Sequence, residues 1–311
     1  MATGAITLLP LRFRIGELTL CTATLPAITV PVRFSDFLDQ EVSPPDFAPL
    51  PEGVQIRLFR SYPVTQPLPR IQMLSGAIRY VPSLHKRFFA RLNGAFADYL
   101  KHFSAKSRST LRSKLRRFAE SSNSDLRWKK YSTRGEMAEF DRLAREISAK
   151  TYQERLLDAG LPADGSYLEI LQALASLDRV RAFILFHQDV PSAYLCCPAV
   201  DDSLLYEYVG YDPQFAHLSP GTVLQYVAFE SLFAENRFKI FDFTEAEGAH
   251  KAFFATQSLL CADIYFFRRT LRNLALVYSH DALLRLSAAL VQLLDRIGAK
   301  TYLKNLIRQA A

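Results

Sequence analysis

Tyr206-Glu207-Tyr208-Val209-Gly210-Tyr211-Asp212, His217-Leu218-Ser219-Pro220-Gly221-Thr222, Ile240-Phe241-Asp242-Phe243 and Gly248-Ala249-His250-Lys251-Ala252-Phe253-Phe254 decide the fold of this chain. In order they read as a strand, a tight loop, a second strand and a helix start. A helix from Val223 to Phe233 separates the loop from the second strand. Pro220 fixes the approach to that helix, Gly221 lets the backbone come close to a ligand, and Ser219 or Thr222 is placed to cap it. The first turn of such a helix offers unpaired N–H groups to an anion such as a pyrophosphate.

Upstream, Val180–His187 and Ser192–Ala199 read as paired strands, with Val190 in the turn. Leu126–Tyr131 is another strand candidate, and Cys261–Arg268 closes the set. Thr133-Arg134-Gly135-Glu136 has capping-box spacing and opens a helix towards Tyr152; Ser166–Ser176 is a second helix. From Pro82 to Glu120 the period is helical, with an interruption near Ser104. Residues 11–34 form a hairpin around Ile15-Gly16-Glu17, and Val54–Tyr62 is a strand beyond a proline-rich loop. The end of the chain is helical. Leu283, Leu286, Leu290, Leu293 and Ile297 form a stripe at three- and four-residue steps. That stripe is expected to dock on the protein, with a membrane-surface helix as the alternative.

The 311 residues are 49% hydrophobic and 22% charged, which is enough for a large core and unlike a disordered chain. The first ten residues lack the basic start of a signal peptide, and no apolar run of about eighteen uninterrupted residues occurs. Cys21, Cys196, Cys197 and Cys261 are too few and too scattered for a disulfide framework or a zinc site, so the expectation is no metal and a reducing, cytoplasmic setting. The formal charge is +7, from 38 basic and 31 acidic residues. Seven basic residues between Lys101 and Arg117, with no acid among them, account for the whole excess. Basicity is one local feature and not a polycation built for nucleic acid. Within it Arg108, Arg112 and Arg116 form a column at four-residue spacing. The column is either a solvated face or a site for an acidic acceptor or an anionic membrane surface.

Asp242 lies between two phenylalanines on a strand expected to be central. It either pairs structurally, with Lys251 for example, or accepts a proton from a nucleophile. Lys251 follows Gly248 at a helix start and can neutralise a phosphate or a developing oxyanion. His250 is the histidine worth testing beside it. In regular alternation Glu207 shares a face with Leu205, Val209 and Tyr211, while Tyr206 and Tyr208 take the other.

The order and spacing of the four opening pieces resemble the second half of a GNAT acyltransferase, in the branch related to CelD-like cellulose-biosynthesis proteins and Fem-type peptidyl transferases. The loop before Gly221 is shorter than the usual GNAT Gln/Arg-x-x-Gly-x-Gly/Ala form. The resemblance implies an α/β GNAT (acyl-CoA N-acyltransferase) fold over 82–270, with the basic helix 101–120 at its start. It leaves a β-rich N-terminal lobe over 1–81, which a degenerate first GNAT lobe would explain, and a helical tail over 271–311. It further implies an enzyme that moves an acetyl or other acyl group from acyl-CoA to an amine or hydroxyl, directly and without a covalent intermediate. The expected acceptor is a sugar or sugar nucleotide of bacterial polysaccharide or envelope biosynthesis, bound as an anionic glycan or nucleotide-linked group by Arg108, Arg112, Arg116 and His250. The donor falls to Val209, Ser219, Pro220, Gly221 and Thr222. Glu207 is the expected general base, Tyr208 the donor to the leaving thiolate, and Asp242 and Lys251 complete the catalytic set. Alternatives are a Fem-type transferase drawing on aminoacyl-tRNA, and a non-catalytic GNAT-fold scaffold. Cytoplasmic placement, with peripheral contact at the inner face of the membrane, fits all three.

Overall fold

The computed structural model describes residues 5–296 apart from 17, 33, 39–41, 124, 152–160, 163–164 and 246–247. The chain divides into two compact units, Met1–Lys86 with Leu259–Ala311, and Arg87–Ser258. In chain order the strands are β1 (Ile6–Ile15), β2 (Leu18–Val30), β3 (Ile56–Pro63), β4 (Ile71–Leu74), β5 (Ala77–Tyr80), β6 (Leu84–Arg91), β7 (Arg127–Tyr131), β8 (Val180–His187), β9 (Val190–Val200), β10 (Ser203–Leu205), β11 (Tyr208–Tyr211), β12 (Ile240–Asp242) and β13 (Gln257–Arg268). The helices are α1 (Phe96–Leu100), α2 (Ala105–Ser121), α3 (Met137–Ser148), α4 (Ser166–Ser176), α5 (Pro220–Glu235), α6 (Ala249–Phe254) and α7 (Leu271–Arg296).

In the first unit β1 and β2 form the expected hairpin, β2 pairs in parallel with β3, and β13 joins β3 to β5. Leu11, Leu25, Ile56, Leu58, Ile78, Tyr80 and Phe267 fill its core together with Val277 from α7. The face of α7 that docks carries Asn273, Val277, His280 and Asp281. This corrects the sequence reading, because Leu286, Leu290 and Leu293 of the predicted apolar stripe are exposed at 51%, 38% and 54%. Polar partners hold the helix instead. The Tyr80 hydroxyl and His280 Nδ1 are 2.7 Å apart, and Arg70 Nε donates to Asp281 at 2.6 Å. Ile297, the last residue of the stripe, lies outside the described residues.

The second unit is a sheet with helices on both faces. β8 and β9 run antiparallel through its middle, and β7 pairs β8. Alternation on these strands separates two cores. Phe183, Leu185, Leu195 and Cys197 meet α2 and α5, whereas Ala182, Ile184, Tyr194 and Cys196 meet α3 and α4. The vicinal cysteines are therefore packing residues, one in each core. The Thr133–Glu136 box forms, with the Glu136 carboxylate accepting from Thr133 N–H at 2.9 Å. α3 ends at Ser148, short of the predicted end towards Tyr152, which lies outside the described residues.

Two further readings are corrected. Residues 84–91 form a strand, not the start of a helix. Phe89, Ala90 and Arg91 pair with β12, and this long-range ladder overrides a weak local helical period. The helical part starts at Phe96. The interruption near Ser104 is where α2 is capped, with Ser104 Oγ accepting from Ser107 N–H at 3.1 Å. The predicted strand Leu204–Tyr211 is split in two at Tyr206 and Glu207. That break builds the site.

Candidate active site

β10 pairs in parallel with β12 over Ser203–Leu205, and Tyr206 N–H still donates to the Asp242 carbonyl at 2.8 Å. After Tyr206 the chain leaves β12, and β11 pairs with β9 alone. Separating two strands of a parallel pair opens a wedge between them. A cavity of about 580 Å³ lies against the stretch that has left β12, with Tyr206, Val209, Gly210 and Tyr211 on one wall. Ser219, Pro220, Gly221 and Thr222, at the start of α5, and His250 of α6 also line it, with Thr151, Pro213 and Ala216.

The loop that delivers α5 is pinned from below. Asp212, buried, accepts from Gln214 N–H at 3.0 Å through Oδ1 and from Lys150 Nζ at 3.0 Å through Oδ2. Arg117 of α2 donates to the His217 carbonyl at 3.0 Å. Ser219 occupies the N-cap position in the left-handed region, at φ 56° and ψ 50°, and its side chain does not cap. Its carbonyl accepts from Thr222 and Val223 instead, at 3.0 and 3.2 Å. Thr222 is likewise not the cap; its Oγ1 accepts from Lys114 Nζ at 3.3 Å. A Cβ on Gly221 would lie 3.9 Å from Tyr211 Cδ1, on the cavity wall. The missing side chain is cavity space.

Gly210 has no such freedom. A Cβ there would fall 2.5 Å from Tyr194 Cε1, because Tyr194 stands directly opposite on β9. Gly210→Ala is expected to destabilise the fold by about 1–3 kcal/mol through overpacking, read as a shift in the denaturation midpoint. Tyr194→Leu in the same chain should restore part of that loss.

The predicted residues separate into groups. Val209, Ser219, Pro220, Gly221, Thr222 and His250 meet at the one cavity. Glu207 and Tyr208 do not. The break shifts the alternation, so they line a different hollow of about 250 Å³ with Tyr167, Ser166 and Pro162. Val209 and Tyr206 thus share a cavity, contrary to regular alternation. Glu207 is exposed at its side chain, yet the surrounding protein desolvates its carboxyl enough to raise the pKa above the usual range. Tyr208 packs edge-on against Tyr167, with ring centroids 5.2 Å apart.

Asp242 is fully buried and bound to Arg87, whose Nε lies 3.0 and 3.1 Å from its two carboxylate oxygens. Thr244 N–H donates to the same carboxylate at 2.8 Å. The ion-pair partner of Asp242 is Arg87, where the sequence suggested Lys251. Lys251 Nζ donates to the Glu245 carbonyl at 2.5 Å and lies 5.9 Å from the centroid of the Tyr206 ring. Burial lowers the pKa of Lys251, with the Arg87 charge acting the same way and Asp242 and Glu245 opposing.

His250 packs between Tyr206 and Phe254, at 6.1 and 5.0 Å between ring centroids. Burial depresses its pKa first, and the charges of Lys114 and Lys251 depress it further. The arginine column does not converge on the cavity. Arg108 donates to the Phe103 carbonyl at 2.6 Å, Arg112 is exposed, and Arg116 faces Glu120 at 3.6 Å. Lys114 and Arg117, two positions and one position from the column on α2, are the residues that reach the loop. The missed signal was helical: Lys114 falls beside Leu111 and Phe118, which dock, and Arg117 falls on the side of α2 away from the arginine column. Among the described residues there is no group of three or more His, Cys, Asp or Glu able to hold a metal.

Residues 105–252 match the family model described as Acetyltransferase (GNAT) domain. Among curated proteins there is no significant sequence match. The solved structure of FemX is similar in fold, with a TM-score of 0.50 at 11% identity, covering 87% of this chain and 90% of that one. The C-terminal domain of a putative lysylphosphatidylglycerol synthetase from Agrobacterium fabrum aligns with a TM-score of 0.49 at 12% identity, covering 77% of this chain and 73% of that one. An aminoglycoside acetyltransferase from an uncultured soil metagenomic sample, in complex with sisomicin, aligns over 39% of this chain and 78% of its own, with a TM-score of 0.30 at 15% identity. With the divided strand, the cavity at the break and the helix that starts on its rim, residues 105–252 are a GNAT-type acyltransferase domain.

Proposed function

We propose that the second unit transfers an acyl group from acyl-CoA to an amine or hydroxyl, with the donor in the 580 Å³ cavity. The observation that carries this reading is the break at Tyr206–Glu207, beside which Tyr206 and Val209–Tyr211 share one cavity with the first turn of α5. The residues present suit such a donor. Gly221 leaves room for a bulky phosphate, Lys114 brings a cation to Thr222, and Val209, Tyr211 and Pro213 offer apolar wall to a thioester arm. Acyl-CoA supplies the activated acyl group. His250 takes the proton of the attacking amine or hydroxyl as its N or O bonds to the carbonyl carbon, and returns that proton to the coenzyme A sulfur as the C–S bond breaks. Lys251 keeps a positive charge beside Tyr206, where negative charge grows. Glu207 and Tyr208, across the same strand, belong to the acceptor's side. A sugar or sugar-nucleotide acceptor of polysaccharide or envelope biosynthesis follows from the CelD-like resemblance alone, and the cytoplasmic setting goes with it.

Acetyl-CoA at about a hundred times its dissociation constant is expected to stabilise the protein by roughly 2.7 kcal/mol, read as a thermal shift. Gly221→Val should abolish the shift by filling the cavity while leaving the unliganded melting temperature within a degree or two. An undiminished shift in Gly221→Val would remove the donor from this cavity. Saturable, salt-sensitive binding of aminoacyl-tRNA without any acyl-CoA shift would instead favour the Fem-type reading.

A further inference from the structure

The side of α7 turned away from the protein is mostly apolar over Leu271–Leu293. Leu271 is 86% exposed, Tyr278 53% and Leu293 54%, and Ala275, Ala282 and Ala289 fall on the same side with Leu286. A helix that docks one face on a core ordinarily turns charge to water. This one turns only Arg272 and Arg285 outward, since the sole acid in 271–293, Asp281, is buried.

A second observation lies at the same place. A hollow of about 510 Å³ opens beside the exposed face, lined by Arg70, Ile71, Tyr278, Asp281, Ala282 and Arg285. Asp281 meets two guanidiniums, Arg70 at 2.6 Å and Arg285 at 2.7 Å. One carboxylate answers two cations, so the hollow keeps a net positive charge, which suits a phosphate. The turn of the β1–β2 hairpin lies against the same helix, Gly16 N–H donating to Ser287 Oγ at 2.9 Å. Beyond that turn Leu18 and Leu20 are exposed at 66% and 53%.

We propose that α7 is a membrane-surface helix that seats the first unit on a bilayer of anionic phospholipid, with a lipid phosphate in the Arg70–Arg285 hollow. Leu271–Leu293 is long and apolar enough to cross a membrane. Spanning would pull Asn273, His280 and Asp281 out of the contacts that hold them and place two arginines in hydrocarbon, so the helix lies in the interface. The charge decides the lipid: exposed arginines and no exposed acid on α7 over 271–293 match an anionic surface and not a zwitterionic one.

Flotation of the full chain with vesicles tests this. Recovery with phosphatidylglycerol–phosphatidylcholine vesicles is expected at low salt, with affinity on the order of tenfold weaker or less for phosphatidylcholine alone. Leu286→Glu with Leu293→Glu should weaken the anionic-vesicle affinity by on the order of tenfold or more, without moving the melting temperature, because both side chains are exposed. A second variant, Ala275→Glu with Ala289→Glu, tests the same face should the first fail to fold. Vesicle binding unchanged in both variants, or equal on neutral and anionic vesicles, would overturn the proposal. So would wild-type self-association that these substitutions abolish, with no vesicle binding; the face would then meet a second copy.

Discussion

His250→Gln is expected to lower kcat by on the order of 10²–10⁴-fold while acyl-CoA binding persists. The ring lines the donor cavity, and among the described residues no side chain or backbone group hydrogen-bonds to it. Glutamine keeps a similar volume and removes the base. Its pH dependence separates this role from a packing role. Burial and the charges of Lys114 and Lys251 hold the His250 pKa below about 6.5, so the base stays deprotonated at neutral pH. Wild-type kcat should therefore be flat near pH 7 and fall only as pH drops through a value below 6.5. Lys251→Met removes one of those charges and should move that acid limb upward. A limb that stays in place in Lys251→Met, or a His250→Gln enzyme with full turnover, would take His250 out of the chemistry. Glu207→Gln, by contrast, should act on the KM of the acceptor.

Arg87→Ala is expected to cost about 3–5 kcal/mol of stability, measured by chemical denaturation of the second unit's transition. The Arg87 side chain is 12% exposed and the Asp242 side chain 0%, so removing the guanidinium strands a carboxylate with no water to replace it. Asp242→Asn in the Arg87→Ala background should recover part of the loss, because an amide is cheaper to bury than an uncompensated charge. Turnover should follow the folded fraction. A large drop in kcat in an Asp242→Asn protein that remains fully folded would return Asp242 to the catalytic set.

The alternating layer of strands and helices from Arg127 onward was legible because β8 and β9 are long, apolar and bounded by turn residues, and because the capping box marks its own helix. The Pro220-Gly221 helix start was legible for the same reason: proline and glycine have local meanings. What the sequence hid depends on partners far along the chain. Residues 84–91 read as helix because their tie to β12 is more than a hundred residues distant. The break at Tyr206–Glu207 has no local signal at all. It arises because β10 is held by β12 and β11 by β9, and it moves Glu207 away from the site that regular alternation gave it. The arginine column illustrates a different limit. Spacing found the basic helix, but only its docking showed that Lys114 and Arg117, and not Arg108, Arg112 and Arg116, meet the loop.

Gly210 has a consequence for how β9 finds its place. Register is ordinarily dictated by which face is oily and which is wet, since a one-residue slip turns every side chain over. β9 is oily on both faces over Ala193–Cys197, so that instruction is weak there, and a slipped ladder would still bury apolar side chains on both sides. Shape must supply the missing information. Only the alignment that sets Tyr194 against a residue with no side chain lets β11 lie flat on β9, and Gly210 is the one glycine within β11. The glycine and the tyrosine act as a key and its ward, and the shape of the cavity on the far edge of β11 depends on their engaging.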